Sequence, residues 1–538
     1  MAWGGKRAIR AGILLVALVL PVAPSIPRIQ AASEARVTVS PMPWGVSTCY
    51  LGGTEGSAEF DVADLQDAGV NTFRIYGGMQ RWEAQDDDGV FGRPTIAEIR
   101  ADPQVISWDW WDEVMTNPPH GSDYWWAIGE EGLDQVWQGN ARTIFQALKD
   151  AGIRAVLTLR NSSPENMPEW SRAFNPPRTE EAWNEWWEHV FATVYWLNVR
   201  NDYRVDDFEV HNEPDNRSQG WAGTLEDYLE FLRVTRDAID GVYATYLPGR
   251  TYHIYAPVTV GDSAWPWDVL RQSVASFDSV DIHSYAMDVS GYVGTVHRWM
   301  DDFGVGDYPL WLSEWGTYTA GYDDPAFCVA RVINNLIRGS RPGDSYVYGS
   351  HIFSFYDWVG GGPGGGFRGL VGKGGERREA YYAFRLASRA LAGCRQTYES
   401  LSTSPDLMAI TTQDEAGGFW LLVTNTSADA PYRVDADLSA LLSGARVSMW
   451  EYSAARLDEA VAAPALEAGH LVFTLPSTAA ILVHLADPTP PVPPTTGTPV
   501  PTSMPTPGPS PTCGLLPLMG MNLLAWAISR SQHKVGGG

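Results

Sequence analysis

The sequence predicts an α/β protein, a (β/α)8 TIM barrel with a C-terminal antiparallel β-sandwich domain, on three observations. Between Pro43 and Gly393 short apolar runs alternate with amphipathic helical stretches through eight units, the pattern of strands buried on both faces and joined by crossover helices. Eight parallel units close into a barrel. After Gly393 the pattern changes to short alternating runs separated by turns, as in a sandwich. The 538 residues suit a large domain with an accessory one, at roughly 150 residues per domain.

Lys6, Arg7 and Arg10 precede an apolar run from Ala11 to Leu20, and small residues follow at Ala31 and Ala32. That is the order of a secretory signal, so residues 1–32 are expected to be removed and the protein secreted. As a membrane anchor the run is too short, because it rises only about 15 Å before Pro21, half of a bilayer core.

The barrel is assigned to 33–393. Its strands are read as Trp44–Cys49, Asn71–Tyr76, Arg154–Arg160, Asp207–His211, Tyr252–Val258, Ser279–His283, Leu310–Ser313 and Tyr346–Phe355. Helices are read at Phe60–Ala68, Asn140–Ala151, Glu181–Val199, Leu225–Tyr246, Trp267–Phe277, Tyr292–Phe303, Pro325–Arg338 and Arg378–Ala392. The span exceeds a bare barrel of about 250 residues, and the excess is concentrated between Met79 and Gln138, which carries Trp82, Trp108, Trp110, Trp111, Trp125 and Trp126. Most of these rings are expected to form a satellite core, with one or two facing ligand.

The sandwich, 394–486, is read from Leu407–Thr412, Phe419–Asn425, Tyr432–Leu438, Val447–Tyr452, His470–Leu475 and Ala479–Leu485, with Arg36–Val39 as a candidate extra strand. Residues 487–512 are almost entirely Pro, Thr, Ser, Val and Gly and read as an extended linker. The mostly apolar 513–538 tail, broken by Pro517, reads as a membrane or cell-surface anchor, a processed sorting signal or a poorly ordered end.

Composition narrows the function. With 44% hydrophobic and 19% charged residues the chain is not disordered. A charge of −26 repels nucleic acid and anionic bilayers, whereas a neutral substrate is indifferent to it. The 24 Trp and 23 Tyr, many beside polar and Gly-rich stretches, offer flat apolar faces with polar edges, which suit sugar rings. Neither cofactor nor metal is expected. The Gly-rich run from Gly360 to Gly375 lacks the Lys-Ser/Thr of a P-loop, and the ten His lack H-E-x-x-H spacing. Cys49, Cys328, Cys394 and Cys513 lack metal-ligand spacing; Cys328 and Cys394, both late in the barrel, are read either as a pair or as independent buried thiols.

The chemistry is concentrated at two strand ends. Phe208-Glu209-Val210-His211-Asn212-Glu213-Pro214 drives an apolar strand into a polar cluster and then into Pro, which cannot continue a ladder. Leu310-Trp311-Leu312-Ser313-Glu314-Trp315-Gly316 repeats the design three units later. In a barrel both carboxylates project into one mouth. Breaking a glycosidic bond needs one group to donate a proton and another to trap developing positive charge, and an ionised neighbour favours a protonated acid.

These residues resemble the retaining glycoside hydrolases of clan A (families 39, 5 and 30), which carry Asn-Glu-Pro at the end of strand four and a second Glu at the end of strand seven. The resemblance implies Glu213 as acid/base and Glu314 as nucleophile. It also implies that Asn212 meets the sugar hydroxyl beside the reacting carbon, that Arg74 holds the nucleophile ionised, and that His283 and Tyr285 hydrogen-bond the nucleophile. Trp358 is implied as the floor beneath the cleaved sugar, with Arg160 and Asn161 within reach of that sugar, while His211 either orients Glu213 or packs. The expected substrate is a β-linked plant cell-wall sugar such as xylan, xylo-oligosaccharide or β-glucan. The alternatives are a non-catalytic carbohydrate-binding surface protein and a transglycosylase using the same carboxylates.

Overall fold

The computed structural model describes residues 32–56, 60–83, 87–116, 140–160, 175–216, 221–261, 263–317, 320–358, 368–441 and 444–486. The signal-like segment, the Pro/Thr-rich linker, the apolar tail, Asn161, Trp125, Trp126 and Cys513 lie outside them. The barrel consists of β2 (Tyr50–Thr54), β3 (Thr72–Tyr76), β4 (Arg154–Leu159), β5 (Asp207–Val210), β6 (His253–Thr259), β7 (Ser279–Ser284), β8 (Leu310–Gly316) and β9 (Gly349–Phe353), in sequential parallel order. It closes where β2 pairs with β9 in parallel, Tyr50 opposite Gly349.

Several of the crossover helices start at a side-chain cap, Asp61, Asn140, Thr179 and Thr224 among them. Thr224 accepts from the backbone N–H of Asp227, whose side chain accepts from the Thr224 N–H, and the helix then runs Leu225–Tyr246. The segment read as a helix from Pro325 to Arg338 is helical without a break to Gly339, with a π-helical stretch at Cys328–Ile333 between α-helical ones.

The first barrel strand differs from the expected Trp44–Cys49. Met42, Trp44 and Val46 are exposed, at 71%, 39% and 45%, and belong to β1 (Ser33–Val46) of the other sheet, which also contains the candidate strand Arg36–Val39. The true strand, Tyr-Leu-Gly-Gly-Thr, lacks an apolar run for a steric reason. A Cβ on Gly52 would lie 1.7 Å from the Thr72 carbonyl oxygen, and one on Gly53 2.7 Å from the Phe355 side chain. Barrel closure demands glycine there, and glycine carries no hydropathic signal.

Trp82, Trp108 and Trp111 of the enlarged loop belong to the main core rather than to the expected satellite one. Trp82 and Trp111 are fully buried, Trp108 nearly so, and their neighbours include Trp186 and His189 of the helix Glu180–Tyr195. Each of these three indole N–H groups finds a partner, Trp82 on Thr193 Oγ1 (3.0 Å), Trp111 on Asp87 Oδ2 (3.1 Å) and Trp108 on the Pro103 carbonyl (2.9 Å).

The accessory part is a ten-stranded sheet. It joins β1 to β10 (Gln396–Ser402), β11 (Leu407–Gln413), β12 (Phe419–Asn425), β13 (Tyr432–Asp437), β14 (Arg446–Ser453), β15 (Arg456–Val461), β16 (Leu466–Glu467), β17 (His470–Leu475) and β18 (Ala479–Ala486). Its ladder is continuous and curls around a core of its own, with residues such as Val37, Leu421, Val434, Phe473 and Ile481. It is mixed rather than wholly antiparallel, because β1 pairs in parallel with β13. Against the barrel it presents Leu422, Tyr452, Ala480 and Leu482, which join the main core with the helix Glu379–Leu391. Asp458, buried on the sheet side, receives Arg385 (2.6 Å) and Arg389 (2.8 Å) from that helix. Among the described residues no helix is long and apolar enough to cross a membrane.

The cysteine expectation is corrected. Cys394 bonds to Cys49, not Cys328, which is free and buried. Cys49 directly precedes β2 and Cys394 follows the last barrel helix, so ring closure brings together residues separated by 345 positions. Opening this bridge, by Cys49→Ser or by reduction, is expected to lower the unfolding free energy by about 2–5 kcal/mol. Guanidinium denaturation with and without reductant measures it; an unchanged midpoint would show that the ring closes equally well without the bond.

Candidate active site

Alternation along the barrel strands decides which side chains point inward, and the mouth collects residues from four of them, β3, β5, β7 and β8, and from the turns beyond strand ends. Two buried carboxylates form its centre. The chain leaves β5 through a turn in which His211 (φ 69°) and Glu213 (φ 46°) adopt left-handed backbone, a conformation costing non-glycine residues on the order of 1–3 kcal/mol. The backbone N–H of Glu213 is held by the Val258 carbonyl at 2.9 Å, which fixes the strained turn. Glu213 Oε1 lies 3.0 Å from His283 Nδ1, and its Oε2 accepts from Asn216 Nδ2 at 3.0 Å.

Glu314 remains within β8, opposite His283 in the parallel register. Its Oε1 accepts from Arg74 Nη1 and from the Tyr76 hydroxyl, both at 2.5 Å, and its Oε2 from the Tyr285 hydroxyl at 2.9 Å. His283 Nδ1 is 3.5 Å from Oε2. Burial alone would raise this carboxyl, but the charges of His283 and Arg74 and the Tyr76 hydrogen bond outweigh it and lower its pKa to about 2. Burial, then the Glu314 charge, raises Tyr285 well above the usual phenol range, so it stays a donor. For His283 burial acts downward, yet Glu314 and Glu213 prevail and raise it. One oxygen of each carboxylate and a ring nitrogen of His283 lie within 4.8 Å of one another. These donor types could share a cation, but Arg74, 2.5 Å from Glu314, already supplies positive charge there.

The structure brings most of the sequence-derived residues together. Arg74 on β3 is fully buried and touches Glu314. Asn212 Oδ1 accepts from Arg74 Nη2 at 2.9 Å, with the Tyr76 hydroxyl at 3.2 Å. Because its oxygen faces donors, the amide nitrogen is the end left for a ligand. Tyr285 binds the nucleophile candidate as expected. His283 lies nearer Glu213 than Glu314, so it bridges the pair instead of serving Glu314 alone. His211 packs edge-on against Trp221 and Phe231, with ring centroids 5.1 and 6.0 Å away. Trp358 stands edge-on to Tyr76 at 5.8 Å, and the Arg160 guanidinium lies over the Tyr76 ring at 5.2 Å.

Three contributors escape the sequence reading. Tyr76 lies two residues beyond Arg74, and strand alternation alone places it on the same inward face. Glu209 carries the signal used for Arg74, a charge inside an apolar strand, and is Arg74's second partner. Asn216 gives no signal beyond its nearness to Glu213.

Comparison with known proteins bears on the fold. No family model matches the chain. A β-xylosidase of Caldicellulosiruptor saccharolyticus is 24% identical over 327 residues, a match covering 53% of this chain and 63% of that protein, under two thirds of the relative's own length. Among solved structures, a glucosidase from Croceicoccus marinus superposes with a TM-score of 0.59 at 16% identity, over 84% of this chain and 99% of that one. A family 39 β-xylosidase from Caulobacter crescentus gives 0.56 at 14% identity, over 85% and 100%. These likenesses show the fold, a TIM barrel with a C-terminal β domain, as in these solved glycosidases.

The environment of Glu314 makes a pH statement. Because its pKa is depressed from 4.5 to about 2, it contributes stability above pH 4.5 that is lost as pH falls through about 2. Arg74→Gln removes one source of the depression. Glu314 should then titrate about one to three units higher and acid unfolding should begin at higher pH. Carboxyl-labelled NMR titration and acid melts check this; an unmoved Glu314 would mean that Arg74 is not what holds it ionised.

Proposed function

We propose that the protein is a secreted retaining glycoside hydrolase that cleaves β-glycosidic bonds of xylan-type poly- or oligosaccharides by double displacement. The observation that carries this is the pair Glu213 and Glu314, less than 5 Å apart at their nearest, in unlike surroundings. Glu314 is surrounded by Arg74, Tyr76, Tyr285 and His283, which favour its charged form. Glu213 lies between His283 and the amide of Asn216, and among the described residues no arginine bonds to its carboxylate. An oxygen-to-oxygen approach under 5 Å is compatible with the ≈ 5–5.5 Å spacing of the carboxyl groups in retaining enzymes.

In this reading Glu213 passes its proton to the glycosidic oxygen while a Glu314 oxygen attacks the anomeric carbon, giving a glycosyl ester and a free leaving alcohol. Glu213, now a carboxylate, takes a proton from water as that water attacks the same carbon, and Glu314 leaves as carboxylate. Two inversions give net retention. The Asn212 amide donates to the hydroxyl beside the reacting carbon, and Trp358 with Arg160 supports the ring. Xylan-type sugars are favoured because the sequence relative and the family 39 structural neighbour are both β-xylosidases; a glucosidase among the neighbours makes β-glucan the second choice.

Secretion rests on the order of charge, apolar run and small residues at the N-terminus, and is supported by the disulfide, a bond that persists in oxidising compartments. The 513–538 tail is proposed to retain the protein at the cell surface.

On aryl β-xylosides, Glu314→Ala should lose turnover by about four orders of magnitude or more, and azide should restore consumption of activated substrate with formation of a glycosyl azide. Proton NMR of the first-formed wild-type product should show the β-anomer. An α-anomer, or a wild type that binds xylan without turning it over, would overturn the proposal.

A further inference from the structure

We infer that Glu209 is a positioning residue, holding Arg74 so that one terminal nitrogen serves Glu314 and the other sets the orientation of Asn212. Arg74 Nε lies 2.8 and 2.6 Å from the two oxygens of Glu209, and both side chains are fully buried. Glu209 is itself steadied by Thr158 Oγ1, which donates to Oε2 at 2.7 Å. With that edge of the guanidinium occupied, Nη1 donates to Glu314 at 2.5 Å and Nη2 to Asn212 Oδ1 at 2.9 Å.

The alternative arrangement is specific. Arginine against a carboxylate favours a two-pronged contact. Freed from Glu209, Arg74 can roll to place two nitrogens on Glu314, stabilising the carboxylate that has to attack and withdrawing Nη2 from Asn212. The amide then loses the nearer of the two donors facing its oxygen, leaving the Tyr76 hydroxyl at 3.2 Å, whose single proton lies on Glu314 Oε1 at 2.5 Å, to keep that oxygen inward and the NH2 toward the sugar. Glu209 thus acts on both displacement and recognition without touching substrate. It reaches the site from the strand that also delivers Asn212 and Glu213, so one element sets all three.

This inference rests on the glycosidase reading, and the experiment separates the two. Wild type, Glu209→Gln, Glu209→Asp and Asn212→Ala are assayed on an aryl β-xyloside and on its 2-deoxy analogue, which lacks the hydroxyl Asn212 would meet. Glu209→Gln should lower kcat on the parent about 10- to 100-fold, the usual effect of a group that orients another, with KM changed only a few-fold. It should also lose preference for the parent over the deoxy substrate to nearly the extent of Asn212→Ala, and Glu209→Asp should recover part of both. A crystal structure of Glu209→Gln should show Arg74 Nη2 withdrawn from Asn212 Oδ1, a readout independent of activity. Equal losses on both substrates, or an unmoved Arg74, would overturn the inference. Inactivity of the wild type would instead overturn the glycosidase reading and leave the crystallographic arm to decide the role of Glu209.

Discussion

A guanidinium without water needs anions around it, and Arg74 is such a group. Its desolvation would cost several kcal/mol unless hydrogen-bonded charges compensate. Two barrel strands supply its partners, with Glu209 from β5 on one edge, Glu314 from β8 on the other, and Asn212 from the turn after β5 on the remaining nitrogen. The requirement is mutual. Glu314 is a buried carboxylate that stays charged because His283, Arg74 and Tyr76 oppose the effect of burial. The strands must also be in register for these contacts to form, so the lowered pKa of the central carboxylate depends on the folded barrel.

The mouth also carries backbone strain. Glu213 lies beyond β5, which ends at Val210. The chain turns there through left-handed backbone at His211 and Glu213. The hydrogen bond from Glu213 N–H to the Val258 carbonyl and the contacts with His283 and Asn216 hold the turn. Further from the mouth, the disulfide between Cys49 and Cys394 and the Asp458 bridges to Arg385 and Arg389 attach the curled sheet and last helix to the start of the ring.

What is legible in the sequence is whatever carries a hydropathic or chemical contrast. Apolar runs locate the strands that bear Arg74, His283 and Glu314, and the Pro after Glu213 marks a strand end. The first strand escapes because Gly52 and Gly53 are selected by closeness to Thr72 and Phe355, which sequence does not display. Cys49 escapes as a bridge partner for a related reason, since ring closure alone makes residues at opposite ends of the barrel neighbours. His283 is placed at the right mouth but assigned to one carboxylate, because a shared position between two depends on distances. Glu209 is a different case: its signal equals that of Arg74, a lone charge in an apolar strand, but the two acids at the strand ends account for the chemistry without it.

The claim on which all of this depends is that Glu314 is an ionised carboxylate able to bond to the anomeric carbon. It is tested most directly by incubating the protein with a 2-deoxy-2-fluoro β-xyloside bearing an activated leaving group, then measuring intact mass and mapping the label by peptide sequencing. The account predicts one fluoroglycosyl unit per chain, on the peptide containing Glu314 and on that side chain. Substrate turnover without any adduct, or a label on another residue, would contradict it.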